Sequence, residues 1–235
     1  MNAPLLILII GKDQRMSQQN AWGSIFKSHF HLFKVVLFLL VPPTWTPPLL
    51  HADGKDTSHP GLLIGGSFER PPIHRFLEGS RQTILFPARI AENGVSEPLT
   101  TESGLNDKDW DNFIKQSLER ASLLLATLDP VMVRDRSAVI QMAVLTSDNP
   151  MVASCILTRG FLQRFSAIFG PELLITIPSR NKIYVFPKLA NRIASAVQTI
   201  HDDHLISPMP VSSEIFELSG KGLHSVGTLD PDEGR

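Results

Sequence analysis

The chain has 235 residues, 43% of them apolar and 19% charged, enough to bury one core of ordinary size with extensions beside it. Twenty-two basic side chains face 23 acidic ones for a net charge of −1, so no global basic field draws the chain to nucleic acid or an anionic membrane. The single cysteine, Cys155, excludes an intramolecular disulfide and a cysteine-cluster zinc site.

Residues 1–52 read as a leader. Leu5–Ile10 is a brief apolar run, and Met16 offers a second start. After it come Lys27 and Lys34, the apolar stretch Val35–Val41, and Leu50-His51-Ala52 ahead of a cleavage point. That order is the order of a signal peptide, which predicts export to the periplasm or beyond; the alternative is a leader on a cytoplasmic protein. The apolar stretch is shorter than the roughly 18 residues of a membrane span, so no stable span is expected. Residues 53–80 carry glycine, proline and polar side chains without period and read as a poorly ordered linker. Gly65-Gly66 lacks the Lys-Ser/Thr of a phosphate loop. A single domain is expected over 81–228, with a frayed tail at 229–235.

Thr83–Ile90 reads as a strand that Pro87 confines to an edge or a bulge. From Asp107 to Thr127, apolar residues from Trp110 to Leu125 recur at three- and four-residue steps, predicting a helix. Asn106 is its N-cap, Leu105 and Trp110 form a staple, and Asp129-Pro130 is its stop. Ala138–Thr146 and Met151–Leu157 suggest a hairpin around Ser147–Pro150, although Pro150 equally opens a helix. Phe161–Phe169 is a short amphipathic helix ended by Gly170-Pro171. Glu172–Pro187 then holds two β-branched and aromatic runs around Pro178–Lys182, a hairpin expected at the centre of the sheet. Leu189–Ile200 is helical in pattern, and Ile215–Leu218 with Leu223–Val226 forms a terminal strand pair. Hairpins separated by single helices predict an α+β fold, a mainly antiparallel sheet with helices packed on one face.

Few residues carry chemistry. In the central turn, Arg180 stands between Ser179 and Asn181; a guanidinium with a hydroxyl and an amide suits a carboxylate or phosphate, while a turn arginine also commonly pairs with a neighbouring acid. His201 and His204 are spaced i, i+3 around two aspartates, a weak metal pattern, because catalytic zinc helices use i, i+4 histidines with an intervening glutamate. Ser154 and Cys155 lie in apolar sequence without a nucleophile elbow. No catalytic residue and no cofactor loop is legible. The expectation is therefore a non-enzymatic domain that binds a protein or a small anionic ligand through Ser179, Arg180 and Asn181. The alternative is a hydrolase using that turn for an anion and His201/His204 for a metal.

Ala153-Ser154-Cys155-Ile156-Leu157, after a helix rich in small residues and leucine, is similar to an Ala-Ser-x-x-Leu segment. Ile177-Pro178-Ser179-Arg180-Asn181 is similar to a Pro-Thr/Ser-Arg-Asp turn between two strands. In this ordered series the chain resembles the YtpQ-like bacterial domain family of unknown function over about residues 99–226. Val152 and Asn181 stand where that family often has acids. The resemblance implies an α+β fold, no assigned activity, and a cytoplasmic setting.

Overall fold

The computed structural model describes residues 58–100, 107–188 and 191–229, all within one compact unit. The leader up to Ala52, the Leu105–Asn106 helix cap and the tail beyond residue 229 lie outside the described residues. Among those described, ten strands and four α-helices form two antiparallel sheets, so the α+β class stands.

The first sheet has β3 (Thr83–Ile90) in its middle, β1 (His59–Gly66) on one side, and β2 (Arg75–Phe76) with β4 (Ser96–Pro98) on the other. This corrects the linker expected over 53–80, because β1 pairs with β3 along all eight residues and six of its residues are buried. Glycine disguised it. Only Leu62–Ile64 are apolar in sequence, yet a Cβ at Gly61 would collide with Ile90, and one at Gly65 with Glu69 and Phe86. These glycines mark close approach, not looseness.

Pro87 also does other than expected. It sits in the middle strand, opposite Leu62 of β1, and its carbonyl accepts a bond from the Leu99 amide on the opposite side. β2 stops opposite Leu85 and β4 begins opposite Ala88. The missing N–H therefore falls where the neighbouring strand is interrupted, and no ladder bond is lost.

The six-stranded sheet has the order β10-β9-β7-β8-β6-β5. β7 (Leu173–Ser179) and β8 (Lys182–Pro187) are its central hairpin, and every residue of β7 is buried. β9 (Glu214–Ser219) and β10 (Gly222–Thr228) form the terminal pair. The second expected hairpin is replaced. β6 (Ile140–Thr146) pairs with β8 and with the unexpected edge strand β5 (Val131–Arg134), while Ala153–Leu157 is a 3-10 helix. Of the two readings open there, strand or helix, the helical one is nearer the structure. Asn149 instead turns the chain, its side chain accepting the Met151 amide, and Ser154 reaches across to the outward carbonyl of Leu62 in β1.

α1 (Asp107–Thr127) and α2 (Arg159–Phe169) lie where expected. The pattern over Leu189–Ile200 becomes two pieces, α3 (Asn191–Ala194) and α4 (Val197–Ile206). At the break, the Ser195 hydroxyl bonds back to the Arg192 carbonyl, the local competition that weakens helices at serine.

Helices cover both faces of the large sheet, not one. Leu173, Ile175, Ile177, Ile183 and Val185 share a core with Leu125 of α1, Phe161 and Phe165 of α2, and Leu62, Ile64 and Leu85 of the small sheet. The alternate residues Leu174, Tyr184 and Phe186 pack under Ile193 of α3 and Ile200 of α4. A strand with both faces apolar needs cover on both, so the continuous run in β7 already demanded two layers. A third cluster, with Leu63, Ile84, Phe86 and Ile90, joins the far side of the small sheet to Ala121 of α1 and Met151.

Candidate functional site

The β7–β8 turn is fixed by its backbone before any side chain acts. The Arg180 amide donates to Met209 O at 3.0 Å, its carbonyl accepts the Ala153 amide at 2.8 Å, and Asn181 O accepts the Ser147 amide at 3.2 Å. Three separate segments therefore hold two residues. The Ser179 hydroxyl donates to Asn181 Oδ1 at 2.7 Å, tying the flanking polar side chains to each other.

Arg180 does not point to solvent. Its side chain is 9% exposed, lies 5.0 Å from the centroid of the Phe86 ring, and runs from the large sheet to the small one. Nη2 pairs with Glu69 Oε2, and Nη1 donates to Ser96 Oγ at 3.3 Å. Nε is buried and finds no hydrogen-bond partner among the described residues. Glu69 belongs to a 3-10 turn, Ser67–Glu69, and its other oxygen accepts the Gly66 amide at 3.1 Å. Burial pushes the Glu69 carboxyl up from its ordinary range, against the opposing pull of Arg180 and the Gly66 amide. Burial likewise lowers Arg180, against Glu69. Both directions say the same thing: desolvation outweighs mutual attraction in this pair.

His201 and His204 both lie in α4. His204 has Nδ1 against the Pro178 carbonyl at 3.0 Å. Among the described residues no group of three His, Cys, Asp or Glu side chains is close enough to hold an ion, which leaves His201/His204 without the further ligands that a metal centre requires. Next to them Asp203 accepts from Lys182 Nζ at 2.9 Å and from the Tyr184 hydroxyl, anchoring α4 to β8. Burial, then the Asp203 contact, raises the Tyr184 phenol, so it stays protonated as a donor. Cys155 is fully buried and its thiol is pushed up to about 12 by burial, which removes its nucleophilic form at neutral pH.

One polar cluster had no sequence signal. Glu214, 4% exposed at the start of β9, accepts from Ser80 Oγ and Thr83 Oγ1, each at 2.6 Å, and from the Arg81 amide at 2.7 Å. Ser212 Oγ lies 2.6 Å from Thr83 Oγ1. A carboxylate held by three neutral donors is satisfied, and it bolts the small sheet to the large one. The residues are ordinary, and Glu214 is more than 130 positions from each of its three donors, so only the fold assembles them.

No helix among the described residues is long and apolar enough to cross a membrane. Compared with family models, with curated proteins and with solved structures, the chain matches none.

Proposed function

We propose that the chain is a binding domain that takes an oxyanion, carried by a protein or a small molecule, at the Arg180 turn. One observation carries this reading. A guanidinium nine-tenths buried over an aromatic ring has, among the described residues, no partner for its Nε–H and spends a single nitrogen on its acid partner, whereas the preferred arginine–carboxylate contact uses two parallel bonds. The Ser96 hydroxyl adds a further polar group beside it. Catalysis draws less support, because the Cys155 thiol and the Tyr184 phenol both hold their protons and His204 Nδ1 is taken up by Pro178. The test is calorimetric titration of the full chain with citrate and inorganic phosphate. Wild type should bind one of them, and Arg180→Lys, which keeps the charge but loses the fork, should not. Equal binding by both chains would remove Arg180 from the site.

Two wider readings belong with this one. The ordered series from Ser117 to Asn181 supports kinship with the YtpQ-like family, and a structure of a member with a strand order other than β10-β9-β7-β8-β6-β5 would end it. The order of Lys27 and Lys34, the apolar run Val35–Val41 and then Leu50-His51-Ala52 supports export. N-terminal sequencing and intact mass of the protein from cell fractions would find a chain starting near Asp53 outside the cytoplasm, or else an uncleaved one inside it.

A further inference from the structure

We infer that Glu69 is an internal stand-in for the ligand: its carboxylate occupies the place of a carboxylate on the partner, and the Ser67–Glu69 turn swings aside when that partner binds. The inference rests on the anion-binding reading and adds to it both a ligand class and a built-in competitor.

Four features carry it. Arg180 is positioned without help from Glu69, by its two backbone bonds and the Phe86 ring, so the guanidinium stays in place when Glu69 leaves. Glu69 engages it through Oε2 alone, with Oε1 committed to the Gly66 amide; an incoming carboxylate with both oxygens free gains the second bond to Nε–H. The element that carries Glu69 is slight. It is three residues long with none buried, Phe68 in it is 59% exposed, and it ends at Arg70 with φ 48°, a left-handed conformation that costs a residue with a Cβ. The glycines beneath it permit the arrangement: a Cβ at Gly65 would collide with the Glu69 carboxylate, and one at Gly66 with the Phe68 ring. The guanidinium is thus held by strands, and its acid by a short exposed turn tied to the sheet at its first residue, where the Ser67 amide donates to Gln82 O at 2.7 Å. That asymmetry distinguishes a displaceable contact from a mutual structural pair.

The ligand class follows from the occupant. A planar carboxylate fits, supplied either by an acidic side chain of a peptide or by a free small acid. No bond is made or broken; one carboxylate replaces another on the same guanidinium, so the buried cation is never left alone. A state in which Glu69 occupies the site reduces apparent affinity by the fraction of open molecules.

The experiment measures polarisation of a fluorescein-labelled peptide copying residues 65–71, with propionate as the competing free acid, on the full chain. Glu69→Gln keeps the shape of the side chain and removes its charge. It should bind the peptide about tenfold or more tightly than wild type, by removing that closed fraction. Adding Arg180→Lys should abolish the gain, and the same peptide with its glutamate replaced by glutamine should not bind. Propionate displacing the peptide identifies the carboxylate alone as sufficient; failure to displace it assigns recognition to the peptide form. Equal affinity of wild type and Glu69→Gln, with binding still lost in Arg180→Lys, overturns the stand-in and leaves the anion site standing. If no carboxylate probe binds either chain, the anion site falls as well. Should Glu69→Gln fail to fold, hydrogen exchange of wild type decides. Saturating propionate should speed exchange of the Gly66 amide, which Glu69 now protects, and unchanged exchange overturns the inference.

Discussion

Arg180 and Glu69 separate what a buried ion pair contributes from what its loss costs. Removing the acid alone by Glu69→Ala leaves the Arg180 Nη2 and Gly66 donors without their acceptor, and urea denaturation should show a loss of about 1–3 kcal/mol. Replacing both partners by apolar groups of similar size, Glu69→Leu with Arg180→Met, should return most of that loss, because the desolvation cost disappears with the charges. A double mutant no more stable than Glu69→Ala would mean that the pair itself stabilises the fold. The pH dependence has a definite sign. Burial raises the Glu69 carboxyl in the folded chain, so between the ordinary carboxylate range and that raised value the folded state binds more protons than the unfolded one. In that window the group's contribution to stability falls as pH rises. The stability of wild type relative to Glu69→Gln should therefore increase on acidification through it, and a flat difference would contradict the burial. Arg180 was legible in the sequence as a turn residue suited to an anion or an acid. Glu69 was not, since nothing local links it to a position 111 residues away.

Elements were read well where period and length agreed. The β7–β8 hairpin, α1, α2 and the β9–β10 pair all have a pattern their neighbours cannot imitate. The misreadings share a cause: local composition pointed one way and packing the other. β1 looked like a linker because close packing against Ile90 and Glu69 requires glycine. Residues 151–157 stood open between strand and helix because a buried 3-10 turn is as apolar as a strand. Pro87 suggested an edge, since the gap between β2 and β4 that excuses it is set by other segments. The Glu214 cluster makes an element-scale prediction. Glu214→Ala removes the acceptor of three donors, two of them hydroxyls between the sheets, and should cost about 3 kcal/mol. Amide exchange should rise more in β1 and β3 than in β7 and β8. Uniform loss across both sheets would show that the carboxylate does not govern this joint.

At the scale of the whole described unit, the two sheets are joined several times over. Leu62, Ile64 and Leu85 share a core with Ile175 and Val185, Ser154 meets the Leu62 carbonyl, and the Ser225 amide donates to Glu78 O at 2.8 Å. With the core continuous across the joint, scanning calorimetry should give one transition whose calorimetric and van't Hoff enthalpies agree. Two resolved transitions would mean that the small sheet is an independent unit. The Ser225–Glu78 bond also occupies an outward amide of β10, the edge strand at that end of the large sheet.

The Glu214 clamp bears on how the protein is made. Thr83 emerges from the ribosome 131 residues before the carboxylate that satisfies it. At roughly 5–20 residues per second that interval is on the order of ten seconds. Throughout it, β1 and β3 can pair with each other, but the hydroxyl of Thr83 has no Glu214 to meet, and for most of it Leu62 and Ile64 have no β7 to cover them. The small sheet, translated ahead of the large one, is thus completed only after β7 and Glu214 have followed it, and a nascent chain exposes its apolar face until β7 arrives. Vectorial synthesis and final assembly run in opposite directions along this sequence.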